Sequence, residues 1–351
     1  MIMAMNIKEL KPKVFIWQGR FSGGGAEKVT LELARACRRA GVEPVLGVFK
    51  KDSNFDFEQI EVPAPFPKRL LGYNSVFASI WMRLTRKLRD FDIVLAHVEG
   101  FWRGRKNIYV AHQAGDIQKA FYAKGAFSKL VYLPVYLISV WGLRTADLVF
   151  YATDTVKNFL IRKKVNGEIL MTSSFMSFDG EVDKEESLLG NLDILFVGND
   201  QKVKNLKSLV EAVHGEPGMS LDIIGVTGSN EENIYYHGWQ EDVPGFIKKA
   251  DLVCIPSFFE GFPLVSLEAL SLGTPVLISR AALPYEIELW TEETETDVIS
   301  IKQDLLRIKN SFSDIKKKAL LAAPIIRETY ETEKVTDREI KNMIIFWERN
   351  K

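Results

Sequence analysis

The sequence predicts an α/β protein built from two Rossmann-like domains. Three observations carry this. The chain opens with strand, glycine-rich turn, helix and strand, at residues 14–17 (VFIW), 18–25 (QGRFSGGG), 26–40 and 44–49. A second unit of strand, sharp turn, helix and strand recurs at 251–279. The length, 351 residues, suits two domains of ordinary size.

In the first half, the turn's glycines allow close backbone approach to a ligand. They are not spaced as G-x-G-x-x-G, and no acid follows the second strand at the right offset, which argues against a dehydrogenase. Helix 26–40 places Val29, Leu33 and Cys37 on one face, and Gly41 stops it. Residues 51–72 read as irregular, with Pro63, Pro65 and Pro67 close together. A helix is expected over 75–89, ending in Arg83, Arg86, Lys87 and Arg89. Residues 92–97 and 107–112 read as parallel strands. Each puts a histidine, His97 or His112, at its carboxyl end, the ligand edge of such sheets. Residues 115–129 read as loop and helix with exposed Phe121, Tyr122 and Phe127. Residues 130–144 read as a buried helix, or else as a partly exposed apolar face near lipid, flanked by Lys124, Lys129 and Arg144. A strand at 147–152 and a basic helix at 155–164 follow.

Residues 173–190 lack periodicity and read as the linker, giving domains at 1–180 and 190–330 and a terminal helix within 331–351. The second domain opens with strand 193–197, a loop from Gly198 to Asn205, and a helix to about His214. Strands at 220–225 and 234–238 and a short helix at 243–250 precede the central unit. There, strand 251–255 leads into Glu260-Gly261-Phe262-Pro263 and a helix over 264–272. Pro263 suits a first helical position and Gly273 is the stop. Residues 291–297 read as acidic loop and 303–330 and 334–348 as helices, the last with Ile340, Ile344 and Trp347 on its apolar face.

Formal charge is zero, but residues 1–180 hold 27 Lys+Arg against 16 Asp+Glu, and the remainder 19 against 30. A basic half points to an anionic partner, nucleic acid or a membrane surface, unless it is an uneven scatter of solvated charge. No nucleic-acid reading motif accompanies the cations, so a membrane surface is the expectation. Two cysteines, Cys37 and Cys254, on separate elements imply no disulfide and fit a reducing cytosol. Lysines 8, 11 and 13 interrupt any secretory h-region, and the longest apolar run, 130–143, is too short to span a bilayer.

The central unit carries the chemistry. Ligands bind at strand carboxyl ends in such units, and free N–H groups at a helix start favour an anion such as a diphosphate. Glu260 and Glu268 flank the turn with seven residues between them, and the amides of Gly261 and Phe262 lie within. That spacing suits an elongated ligand: one acid for a hexose, amides for phosphates, one acid for ribose hydroxyls.

The stretch EGFPLVSLEALSLGTPV resembles the donor-site signature of the retaining GT-B glycosyltransferases of family 4, and weaker resemblance extends over nearly the whole chain. It implies two Rossmann-like domains facing across a cleft, with the final helix crossing back to the first. It implies that Gly24 and Gly25 line the cleft, that His112 faces the sugar, and that Lys204 holds the diphosphate from the loop after Gly198. The family's arginine in that loop is Asn199 here, and Lys202 is the candidate replacement. Gly238, between His237 and Trp239, lies near the expected base pocket, and Leu264 with Glu260–Pro263 completes the donor loop. Pro284 and Glu286 match a supporting P-x-E segment. Asp90-Phe91-Asp92 spells D-x-D, the metal site of another glycosyltransferase fold, but lies at the wrong end of a strand.

The expected activity is therefore metal-independent, retaining transfer of a hexose from a UDP- or GDP-linked sugar, without a cofactor, to a glycan or lipid-linked hydroxyl. The expected location is the cytoplasm, peripheral on the membrane's inner face. His112, Glu260 and Lys204 are the candidate catalytic residues. A non-catalytic GT-B partner subunit and a nucleotide-sugar epimerase are the rival readings.

Overall fold

A computed structural model describes residues 11–19, 25–67, 70–96, 100, 102–104, 107–112, 126–151, 153–171 and 190–351. Expectations on Gly24, His97, Phe121, Tyr122, Lys124 and most of the linker lie outside them. The first sheet is β1 (Val14–Gly19), β2 (Pro44–Val48), β3 (Glu58–Glu61), β4 (Ile93–Ala96), β5 (Ile108–Ala111), β6 (Leu148–Tyr151) and β7 (Glu168–Met171). They pair in the order β3-β2-β1-β4-β5-β6-β7, all parallel. Helices α1 (Gly25–Arg39), α2 (Leu71–Leu84), α3 (Ala126–Arg144) and α4 (Asp154–Arg162) accompany it.

The second sheet is β8 (Leu192–Val197), β9 (Met219–Ile224), β10 (Ile234–Gly238), β11 (Leu252–Ile255), β12 (Val276–Ser279) and β13 (Glu292–Thr294). Its order is β10-β9-β8-β11-β12-β13, again all parallel. Helices α5 (Leu206–Val213), α6 (Val243–Lys249), α7 (Leu264–Ser271), α8 (Val298–Asn310) and α9 (Phe312–Thr329) belong to this half. The central strands are buried four-residue apolar runs, as two-sided parallel sheets require.

Helix α10 (Thr332–Arg349) crosses back to the first domain. Val335, Ile340, Met343, Phe346 and Trp347 are buried there among Val14, Ile16, Val29 and Leu33. In the other direction, Val203 and Phe259, from loops of the second domain, lie in the first domain's apolar cluster with Tyr151 and Val156.

Several expectations need correction. The irregular stretch 51–72 contains β3, the acidic loop 291–297 contains β13, and β7 follows the basic helix. All three are edge strands, short and acidic (EQIE, EILM, EET). Charge on an edge blocks pairing with other chains, and it hides the apolar run that marks a strand. The helix expected over 75–89 ends at Leu84, because Arg86 takes φ +62° before a 3₁₀ turn, Lys87–Asp90. The helix expected over 303–330 is two, broken at Ser311. Asp92 accepts a 2.8 Å bond from the Lys13 N–H, so D-x-D is a turn, as expected. Cys37 and Cys254 are buried free thiols.

Candidate active site

Strand order in the second sheet reverses between β8 and β11, the switch point outside whose carboxyl ends such sheets bind ligands. The loop after β8 runs through a 3₁₀ turn, Lys202–Lys204, to Asn205, which takes φ +55°. Asparagine tolerates this left-handed conformation better than most residues. Its side-chain N–H groups donate to the carbonyls of Pro256 (3.0 Å) and Thr296 (2.8 Å), and its carbonyl accepts from Ser208 Oγ (2.7 Å). The Phe258 N–H donates to the Val203 carbonyl at 2.8 Å. The two loops are thereby sewn together.

That stitching brings Lys204 and Glu260 into contact. Lys204 Nζ donates to Glu260 Oε1 at 2.6 Å, and Ser257 Oγ donates to the same oxygen at 2.8 Å. Glu260 is 2% exposed and the Lys204 side chain 20%. A carboxylate so buried needs such charge-assisted partners. The ammonium is held in place beside the turn Gly261–Phe262. Pro263 precedes α7, whose first turn has no side-chain cap. Glu268 is half-buried one turn and a little more into that helix.

A backbone ledge borders the loops. The Gly198 N–H donates to the Ile224 carbonyl (3.0 Å) and the Gly225 N–H to the Gly238 carbonyl (2.7 Å). Gly225 must be glycine: φ is +91°, and a Cβ would lie 2.2 Å from the Gly198 oxygen. Beside the ledge His237 Nε2 meets Asp222 Oδ1 at 2.5 Å, and Trp239 is 75% exposed.

On the first domain, His112 leaves β5 with its N–H on the Ala96 carbonyl (3.0 Å). Its ring is buried, and Nε2 lies 3.0 Å from Glu339 Oε2 of α10. Burial pushes the imidazole down to about 3 and raises the Glu339 carboxyl well above its usual value. Burial thus disfavours the charged form of each group. Gly25 opens α1 at the same sheet edge.

Solved structures share this architecture. Sucrose-phosphate synthase of Thermosynechococcus elongatus superposes with a TM-score of 0.74 at 15% identity, covering 97% of this chain and 100% of that one. Anabaena HepE, solved with UDP and glucose, gives 0.68 at 14%, covering 95% and 99%. The family described as Glycosyltransferase Family 4 matches residues 23–170, and Glycosyl transferases group 1 matches 179–289.

The chain carries both domains of the GT-B glycosyltransferases.

A curated relative, the Escherichia coli UDP-Gal:alpha-D-GlcNAc-diphosphoundecaprenol alpha-1,3-galactosyltransferase, is 45% identical over 43 residues, 12% of this chain and 11% of that protein. The chain matches the curated relatives over at most 30% of their length.

In this GT-B chain, Lys202 and Lys204 part company. Exposed Lys202 lines a cavity of about 960 Å³ with Asp200, Ser208, Thr227, Tyr236 and Phe258, whereas neither Lys204 nor Glu260 lines it. Asn199 Oδ1 accepts from the Gln201 N–H at 3.2 Å. Sequence reasoning missed Ser257, Asn205 and Glu339. The signal for Asn205 was the asparagine just before a helix start; a lone serine and a surface-like glutamate carry none.

Proposed function

We propose that this protein moves a hexosyl group from a UDP- or GDP-linked sugar to a hydroxyl of a glycan or lipid-linked acceptor, with retention and without a metal ion. The Lys204–Glu260–Ser257 cluster at the switch point carries this reading. It puts a fixed cation and uncapped helix amides at one place, which is what a departing diphosphate needs. The UDP and glucose in Anabaena HepE and the galactosyl transfer named for the Escherichia coli relative support it.

In the reaction the bond between the anomeric carbon and the phosphate oxygen breaks, and the electron pair leaves on the diphosphate. Lys204 and the Gly261 and Phe262 amides receive that charge. The acceptor oxygen attacks from the same face, and its proton passes to the departing phosphate oxygen. Glu260 holds Lys204 in position and offers its carboxylate to the hexose hydroxyls. Glu268 holds the ribose. His112, buried against Glu339 of α10, braces the β5 edge of the opposite wall rather than facing the cleft with its ring. Gly198, Gly225 and Gly238 let the nucleotide approach the backbone.

Purified protein incubated with a panel of nucleotide sugars should release nucleoside diphosphate from one of them, faster with acceptor. Silence toward every donor, together with stable binding to a glycosyltransferase partner, would replace this reading with the non-catalytic subunit, which Asn199 in the arginine position favours. A narrower result is expected of Glu268→Ala. Loss of a charged contact to ribose should cost about 1.5 kcal/mol, roughly tenfold in nucleotide Kd by titration calorimetry. An unchanged Kd removes Glu268 from the ribose.

A further inference from the structure

Two helices of the first domain present an outward face that the described residues leave uncovered. On α3, Leu130, Leu133, Leu137 and Trp141 are exposed, Leu130 by 69% and Trp141 by 55%. Their spacing of three and four puts them on one side of the helix. The opposite side, with Tyr132, Val135, Val140 and Leu143, is buried. The helix is therefore apolar on both sides, with no charge between Leu130 and Trp141. Water-facing helices ordinarily alternate apolar and polar sides.

Helix α2 lies alongside and runs in the same direction. Tyr73, near its start, donates its hydroxyl to the Val131 carbonyl near the start of α3. Arg103 joins the other ends: its carbonyl accepts from the Arg83 guanidinium, and its own guanidinium donates to the Thr145 carbonyl at 2.9 Å. Ile80 and Leu84 on α2 are exposed too, Leu84 by 79%. Neither helix, nor the turn as far as Arg89, contains an acid. They contain Arg83, Arg86, Lys87, Arg89, Lys129 and Arg144.

We propose that this face seats the protein on an anionic lipid surface, a docking that deepens the reading above and depends on it for the acceptor. The leucines and Trp141 enter the boundary between headgroups and acyl chains, and the cations meet lipid phosphates. The helices lie in the plane: no helix among the described residues is long and apolar enough to cross a membrane. Charge argues against a second copy as the occupant. A two-fold contact through this face would bring two stretches rich in cations together, with no acid from either helix to answer them.

The test is flotation with vesicles of equimolar phosphatidylglycerol and phosphatidylcholine, or of phosphatidylcholine alone. The full chain should float with the anionic vesicles at low salt, detach as salt rises, and stay down with the neutral ones. Leu137→Glu with Trp141→Glu should abolish flotation, as should Leu130→Glu added to either, at an unchanged melting temperature. Arg86→Ala with Lys87→Ala should weaken partitioning at least tenfold, about fivefold per cation removed. Wild type left unfloated, or floating equally with both vesicles, overturns the proposal. So does a dimer on sizing columns that the glutamate variants split. Nucleoside diphosphate release in detergent-free buffer is read on the same variants. Its loss in wild type sinks the transfer reading alone, while its survival without flotation sinks the lipid seat alone.

Discussion

Lys204→Ala is expected to lower donor turnover by about 10²- to 10³-fold, the usual consequence of removing one preorganised group that stabilises a developing anion. Lys204 is preorganised in a specific sense. Its ammonium is already held 2.6 Å from Glu260, and the loop carrying it is fastened through Asn205 to Pro256 and Thr296. Little reorganisation remains when the diphosphate arrives. Lys204→Ala also leaves the buried Glu260 with a lost partner, so folding must be checked by thermal melting, and Lys204→Arg should recover the fold and part of the rate. Single-turnover release of nucleoside diphosphate is the readout. If Lys202→Ala does the damage while Lys204→Ala is silent, the phosphate lies over the 960 Å³ cavity instead.

The second large effect is a pH window written by His112 and Glu339. In the unfolded chain the histidine titrates near 6.5 and the glutamate near 4.5. In the folded protein the imidazole is pushed down to about 3 and the carboxyl is raised. Just above pH 4.5, folding takes a proton from the imidazole and keeps one on the carboxyl, so the two contributions to the slope oppose each other. Below 4.5 the folded state binds one proton fewer, so stability falls with pH, by about 2 kcal/mol down to pH 3. As pH rises toward the carboxyl's raised folded value, the folded state keeps a proton that the unfolded chain has released, so this contribution falls with rising pH. Denaturant unfolding across pH should show Glu339→Gln removing the alkaline arm and starting the acid arm nearer pH 6.5, because the imidazole then titrates alone. An unaltered alkaline arm would mean that Glu339 does not hold the proton.

What the sequence disclosed follows from how signals survive burial. Central strands such as 252–255 and 276–279 are apolar on both faces and stand out, while the edge strands with acids in them do not. The turn at Glu260 was legible because an apolar strand, a proline and a helix stop frame it within twenty residues. The pairings were not, since Lys204 is 56 positions from Glu260 and Glu339 is 227 from His112. Only the chain's path joins them. In α3 one side is buried and the other is exposed, and a helix apolar all round gives no moment by which the sequence could tell the two sides apart.

Val203 and Phe259 are buried in the first domain's cluster, and each immediately precedes a charged partner, Lys204 and Glu260. Hinge motion and charge placement are therefore mechanically one event. Any rotation that parts the domains must withdraw both apolar side chains, at a cost of about 1.5–3 kcal/mol each for full exposure. The same rotation slackens the two loops that hold the ammonium in register. Such a molecule behaves as a latch: its anion-stabilising geometry exists when shut, and water entering an open cleft meets a site whose charges are no longer held in place.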